Sequence, residues 1–289
     1  MTFNGSIVIV NFNSGAYLAD CLASIAAYAP EAHVVVVDNA SVDGSDRATA
    51  SAPGRVELRP TGENLGFARG VNRGVAHASG DRVLLLNPDC RLLPGAVESL
   101  VAELDCHPEC AIAGPQILND DGSLQGSARG DPTLLTGLFG RSTLFTRLFP
   151  RSRLARQNVP VDSALIERGA SCEVDWISGA CMLARRDALA AVDGFDERYF
   201  MYWEDADLCR RLRHRGYSIR YVPAARVVHT IGQSSRAARA LATRAFHRSA
   251  YTYYATHIAR TPPARVAAWF LLMARCRWKL LSSRFARLD

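Results

Sequence analysis

Between residues 199 and 216, four aromatics (Tyr199, Phe200, Tyr202, Trp203) run directly into three carboxylates (Glu204, Asp205, Asp207). A positioned carboxylate can take a proton from a hydroxyl group. An aromatic wall beside it offers a face on which a sugar ring can stack. Behind the acids, Leu208 and Leu212 share a face at helical spacing, Arg210, Arg211, Arg213 and Arg215 fall elsewhere, and Gly216 reads as the helix stop. Acids also suit the N-terminus of a helix for purely structural reasons. That role, assigned here to Asp207, explains one or two of them but not the whole cluster.

Three further polar groups follow apolar runs. Asn11 and Ser14 end the run beginning at Ser6, Asp38, Asn39 and Ser41 end the run 33–37, and Asn87 and Asp89 end the run 82–86. Such runs are typical of parallel strands buried on both faces. Asx residues after strands are ordinary turn formers. Three such groups on one edge of one sheet indicate a ligand site instead.

The elements that would carry these groups alternate. Helical spacing covers 18–25, 67–78 and 94–106, and 56–59 is extended. This alternation predicts a doubly wound α/β sheet. Residues 119–170 are irregular and read as a flap or connector; within them Arg141, Arg147, Arg151, Arg153 and Arg156 alternate with Leu and Phe. Order resumes with an extended segment over 176–184 that holds a glycine irregularity, then a helix over 186–192. Short strands over 218–222 and 226–228 close on His229. The tail reads as helical, broken at Pro262 and Pro263.

A chain of 289 residues suits one large domain with an appendage. No apolar run reaches the ~18 residues that span a bilayer, and the N-terminus lacks the basic and apolar regions of a signal peptide. The eight cysteines contain no C-x-x-C pair and read as free thiols of a reducing cytoplasm. The formal net charge of +6 is uneven: residues 236–289 hold eleven Arg or Lys against one acid, leaving the rest slightly acidic.

Taken together, the motifs resemble those of inverting glycosyltransferases of family 2, with the GT-A fold. They stand as Val10-Asn11-Phe12-Asn13, Val37-Asp38-Asn39-Ala40-Ser41, Asn64-Leu65-Gly66-Phe67-Ala68-Arg69-Gly70-Val71-Asn72-Arg73-Gly74 and Leu86-Asn87-Pro88-Asp89. They continue as Trp176-Ile177-Ser178-Gly179-Ala180, Gly194-Phe195-Asp196, Trp203-Glu204-Asp205 and His229-Thr230-Ile231-Gly232. The Asn-Pro-Asp form, with the tryptophan motifs, is most similar to the bacterial rhamnosyltransferase branch.

The resemblance implies a GT-A domain over 1–235, with a nucleotide-sugar half at 1–115 and an acceptor half at 116–235, followed by a basic amphipathic helical tail at 236–289. It implies a dTDP- or UDP-sugar donor contacted by Asn11, Asp38, Asn39, Ser41, Asn64, Gly66, Arg69, Asn72, Asn87 and Asp89, with Gly70 also letting the backbone approach. Asp205 is implied as the base, Tyr202, Trp203 and Glu204 as acceptor contacts, and Asp89 with His229 as ligands of Mg2+ or Mn2+. Asn87 stands where most GT-A enzymes carry the first Asp of Asp-x-Asp, so only Asp89 of that motif offers a carboxylate. The best expectation is transfer of L-rhamnose from dTDP-rhamnose to a lipid-linked or polysaccharide acceptor. The alternatives are galactosyl, glucosyl or N-acetylglucosaminyl transfer. The tail predicts peripheral attachment to the inner face of the cell membrane, through anionic lipid and with Arg141 to Arg156 as a second contact. Two rivals fare worse. A nucleotidyltransferase would carry a basic phosphate loop where Asn13 to Tyr17 has none. A nucleic-acid binder would have no need of the apolar run 266–274, so no nucleic-acid partner is expected.

Overall fold

The computed structural model describes residues 3–132, 169–230 and 239–285. Its centre is a mixed sheet, the doubly wound α/β architecture expected above. In spatial order the strands are β3 (Arg55–Pro60), β2 (His33–Asp38), β1 (Gly5–Asn11), β4 (Arg82–Leu86), β11 (Cys181–Arg185), β6 (Cys110–Leu118), β12 (Ser218–His229) and β5 (Cys90–Leu92). The first four are parallel, β11 runs antiparallel between β4 and β6, and β12 returns parallel to β6. Two short strands, β7 (Leu124–Gln125) and β9 (Cys172–Glu173), extend the sheet on β6 and β12. A separate pair joins β8 (Ala128–Arg129) to β10 (Trp176–Ile177).

Strand alternation divides the core. Ile7, Ile9, Val34, Val36, Leu84 and Leu86 face one layer, built on α1 (Tyr17–Tyr28) and α4 (Ala96–Cys106). Val8, Val35, Val37, Val83 and Leu85 face the other, built on α3 (Phe67–His77), α5 (Arg186–Ala190) and α6 (Glu204–His214). The two-residue period of a strand sends neighbours to opposite faces, so a continuous apolar run fills both layers at once. A Cβ at Gly74 would meet Val8 at 2.3 Å, and one at Gly70 would meet Val10 at 2.8 Å, so both glycines let α3 lie close on the sheet.

The tail is a helical hairpin of α7 (Arg239–His257) and α8 (Pro262–Phe285), with the two prolines opening α8. Proline is tolerated in a first helical turn because its missing N–H has no partner there. α7 packs into the second layer: Tyr253 is 1% exposed and shares the cluster of Tyr199, Leu208 and Leu212. α8 covers α7 with Ala268, Leu272 and Cys276 buried, and turns Val266, Phe270, Leu271, Trp278 and Leu281 outward. Among the described residues no helix is long and apolar enough to cross a membrane. Arg213 ties α6 to Asp131 and Asp175, which flank the segment 133–168. That segment, which contains Arg141 to Arg156, and residues 231–238 lie outside the described residues.

Candidate active site

Asp38 ends β2 beside Asn11, which ends β1 in register with it. The Asp38 carboxylate is buried and accepts from Asn11 Nδ2 at 2.8 Å, from the Ser41 hydroxyl at 2.6 Å and from the Ser41 backbone N–H at 3.0 Å. Asn11 also donates to Ser45 and accepts from Ser14. Two short polar side chains therefore hold one carboxylate, and Ser14 and Ser45 brace Asn11, at the carboxyl edge of the sheet, where such folds bind ligands. Asn39 lies next to it, donates to Gly66 O at 2.9 Å, and leaves its buried Oδ1 without a partner.

The loop before α3 turns on Gly66, whose φ of +81° suits glycine. A side chain there would strike Phe200 O at 2.3 Å. Asn64 Oδ1 accepts from Gly66 N, and Phe67 N donates to Phe200 O at 2.7 Å. These contacts bring residues 64–67 against the aromatic stretch. Arg69 pairs with Glu197, and Asn72 clamps Phe195, donating to its carbonyl at 2.8 Å and accepting its N–H at 2.9 Å. Arg69 and Asn72 thus bind the 194–197 turn to α3, while Asn11, Asp38, Asn39 and Ser41 form the compact cluster.

After β4, Asn87 and Asp89 meet the 178–180 segment. Ala180 O accepts from Asn87 N at 2.9 Å and from the Cys90 thiol at 3.3 Å. One residue earlier, Gly179 N donates to Asp205 Oδ2 at 3.0 Å. The Gly179–Ala180 peptide thus links the Asp89 turn to Asp205. The Gly179 backbone lies against the Phe67 ring and Asp205 Cβ, and a Cβ there would meet them at ordinary contact distances of 3.4 and 3.6 Å. The second Asp205 oxygen accepts from Ala206 N at 2.8 Å, and two backbone donors therefore fix the plane of the half-buried carboxylate.

The acids of α6 part company. Burial, and next the charge of Asp205, raise the Glu204 carboxyl well above the usual range, and its Oε2 is buried without a partner. Asp207 is fully buried and does not cap the helix. It accepts from Arg211 Nε at 2.6 Å, from Tyr199 OH at 3.3 Å and contacts His257 Nε2 of α7 at 2.6 Å. Charge distribution alone suggested a cap. The contact with His257 exists only when α7 docks.

Tyr202 and Trp203 adopt left-handed backbone, at φ +69° and +70°. For non-glycine residues this costs on the order of 1–3 kcal/mol each and concentrates at functional sites. α7 holds the pair: Phe246 packs on both rings, Tyr253 lies 5.3 Å from Trp203 between centroids, and the Ser249 hydroxyl donates to Met201 O at 3.0 Å. Trp203 Nε1 is buried without a partner. Asn39 Oδ1, Trp203 Nε1 and Glu204 Oε2 are thus among the buried polar atoms of the described residues that have no hydrogen-bond partner within the protein.

Antiparallel pairing sets His229 opposite Cys90, beside Asp89. His229 Nε2 lies 3.3 Å from Asp89 Oδ1, and Asp89, Cys90 and His229 form a group that could hold a metal ion. Burial pushes the Cys90 thiol well above its usual range, and it donates to Ala180. The usable donors are therefore a carboxylate oxygen and an imidazole nitrogen, a set that suits Mg2+ or Mn2+ with ligand oxygens completing the shell. Gln125, unmarked by any local motif, contacts the other ring nitrogen at 3.0 Å.

The chain matches the model of the family described as glycosyl transferase family 2 over residues 6–192. An N-acetylglucosaminyl-diphospho-decaprenol L-rhamnosyltransferase of Mycobacterium tuberculosis is 35% identical over 289 residues, covering 96% of this chain and 89% of the relative. The rhamnosyltransferase WbbL of Escherichia coli is 42% identical over 82 residues, 28% of this chain and 31% of the relative. Among solved structures, a mannosyltransferase of Pyrobaculum calidifontis in complex with GDP-Man and Mn2+ superposes with a TM-score of 0.58 at 16% identity, covering 100% of this chain and 82% of that one. GalNAc-T7 with UDP, GalNAc and Mn2+ gives 0.59 at 18% identity, covering 78% and 42%. At these identities the shared property is the GT-A fold.

Proposed function

The chain belongs to glycosyl transferase family 2, and from that premise we propose that it moves L-rhamnose from a dTDP-linked donor to an N-acetylglucosaminyl-diphospho-polyprenol acceptor. The sugar and the acceptor follow the relative's name and its 35% identity over nearly the whole chain, and the dTDP-linked donor follows the motifs read in the sequence. The observation that carries the chemistry is the Gly179–Ala180 junction, which fixes Asp205 relative to the Asp89 turn.

In this reading the acceptor hydroxyl lies against Asp205. Its oxygen attacks the anomeric carbon, the bond from that carbon to the diphosphate breaks, and the proton passes to Asp205. One displacement inverts the anomeric configuration. A carboxylate suffices as the base, because the hydroxyl acidifies as it bonds to an oxocarbenium-like centre. Asp38, held as an acceptor by Asn11 and Ser41, takes the N3–H of thymine or uracil. Asn39 and the Gly66 loop line the nucleotide beside it, with Asn64, Arg69, Asn72 and Asn87 around the donor. Asp89 and His229 would hold Mg2+ or Mn2+, which supplies positive charge beside the departing diphosphate. Glu204, whose carboxyl burial raises well above the usual range, offers a hydrogen bond to the acceptor, and Trp203 an indole N–H.

The exposed face of α8 suits a lipid-linked acceptor. Phe270 is 62% and Trp278 73% exposed, beside Arg265, Arg277 and Lys279. Such a helix lies in the headgroup boundary, with apolar residues inserted and cations on anionic phosphates. The proposed occupant of this face is the anionic inner surface of the cell membrane.

The test is a donor and acceptor screen. Transfer to N-acetylglucosaminyl-diphospho-polyprenol is followed with dTDP-rhamnose, UDP-galactose, UDP-glucose and UDP-N-acetylglucosamine. Turnover with dTDP-rhamnose alone is expected. Turnover with one of the UDP-sugars in its place overturns the rhamnosyl assignment, and absence of any transfer or donor binding overturns the reading as a whole.

A further inference from the structure

Gln125 stands on β7, the two-residue strand paired to the end of β6. Its amide has three contacts: Nε2 donates to His229 O at 2.6 Å and to Asn119 Oδ1 at 2.8 Å, and Oε1 lies 3.0 Å from His229 Nδ1. These contacts determine where the imidazole hydrogen sits. A backbone carbonyl can only accept, so the nitrogen of Gln125 must face His229 O. Its oxygen then faces Nδ1, and Nδ1 must carry the hydrogen. In the neutral ring the lone pair is left on Nε2, 3.3 Å from Asp89 Oδ1. Among the described residues, the two acceptors so placed have no positive partner between them.

The amide is itself braced. Asn119 donates through Nδ2 to the Ser123 hydroxyl at 2.8 Å, and its backbone N–H donates to Ser123 O at 2.8 Å, closing the turn between β6 and β7. The chain Ser123–Asn119–Gln125–His229 therefore runs from an exposed turn to the edge of the site.

We propose that Gln125 is a positioning residue of the divalent-metal site: it fixes the Nδ1–H tautomer of His229 and aims Nε2 at the ion shared with Asp89. This rests on the reading of Asp89 and His229 as metal ligands. Partners on the far nitrogen of a ligating histidine fix its ring and tautomer, and their loss typically weakens metal affinity about 10–100-fold.

The experiment titrates MnCl2 into the full chain, with and without dTDP, and counts free Mn2+ by electron paramagnetic resonance. It compares wild type, Gln125→Met, Asn119→Ala, His229→Ala and Asp89→Ala. Gln125→Met keeps the side chain's length without its hydrogen bonds and is expected to weaken Mn2+ binding about 10–100-fold, with a smaller loss for Asn119→Ala. In metal-free protein, 15N-histidine spectra should show neutral His229 as the Nδ1–H tautomer in wild type and a shift toward Nε2–H in Gln125→Met. The melting temperature in EDTA reports any merely structural effect. If Gln125→Met fails to fold, Asn119→Ala carries the same comparison. Weakening by His229→Ala but wild-type affinity in both Gln125→Met and Asn119→Ala overturns this inference and leaves the metal reading standing. The Nε2–H tautomer in wild type also overturns it. If neither His229→Ala nor Asp89→Ala weakens binding, the metal reading falls and this inference with it.

Discussion

Asp205 and Glu204 are neighbours in sequence with opposite environments. Asp205 is half-buried, with both oxygens set by backbone N–H groups. Glu204 is 6% exposed and its carboxyl is raised by burial and by Asp205. A base acts only as the hydroxyl attacks, so Asp205→Asn should lower transfer about 10²–10⁴-fold. Donor affinity, measured by calorimetry, should stay within about twofold by the same argument; a variant retaining half of wild-type turnover would remove Asp205 from the role. Glu204 gives a pH prediction. A carboxyl with a raised folded pKa binds more protons folded than unfolded, so its contribution is fully present below the unfolded value near 4.5 and is lost as pH rises through the folded value. Glu204→Gln removes that loss. Thermal melts should place the variant above wild type at pH 8 with the gap narrowing at pH 5, and a variant that melts lower at pH 8 contradicts the assignment.

At the scale of elements, α6 and α7 form one unit. Asp207, two residues past Asp205, joins Arg211 of its own helix to His257 of α7, and Arg211 also donates to Val192 O and Gly194 O. Removing one partner of a buried pair leaves the other charge uncompensated, at a cost of about 3–5 kcal/mol. Asp207→Ala should lose stability of that order in urea unfolding, and transfer should fall because the strained Tyr202–Trp203 turn leans on α7. A loss under about 1 kcal/mol would mean that the network does not couple the helices. The largest element unforeseen in the sequence is β6. Its stretch CAIAGPQIL, which contains Gly114 and Pro115, is assigned no element from the sequence alone. The proline is tolerated because it pairs with Val222, where the β12 ladder slips between Val222 and Arg226.

At the scale of the whole molecule, positive charge concentrates in the tail, and among the described residues exposed large apolar side chains concentrate on its hairpin. A cut at residue 235 suggests itself from charge, yet Tyr253 is buried in the core, Ser249 bonds to Met201 and His257 contacts Asp207. The membrane prediction is therefore tested by surface substitution rather than truncation. Wild type should sediment with vesicles containing anionic lipid. Salt should weaken this only in part, because each cation near the surface contributes ~1 kcal/mol that screening removes while apolar burial persists. Replacing Trp269, Phe270 and Trp278 by Ser should release the protein from vesicles without lowering its melting temperature. Full-length protein that ignores anionic vesicles at low salt, or that binds duplex DNA as tightly, excludes the membrane reading.

The sequence by itself determined the strands β1, β2 and β4, since runs such as Ile7 to Val10 can only be buried on both faces. It also determined the polar groups at their ends, since Asx and Ser after such a run have nowhere else to lie, and their motifs carried the family. Tertiary structure alone decided what each acid does. Glu204, Asp205 and Asp207 share one short stretch of sequence, but packing raises the carboxyl of the first, braces the second with backbone donors and sets the third against a histidine of a helix fifty residues away. It alone decided that Gln125 meets His229 and that α7 belongs to the core. Those contacts join residues far apart in the chain, and no local spacing encodes a partner that arrives only when the sheet closes.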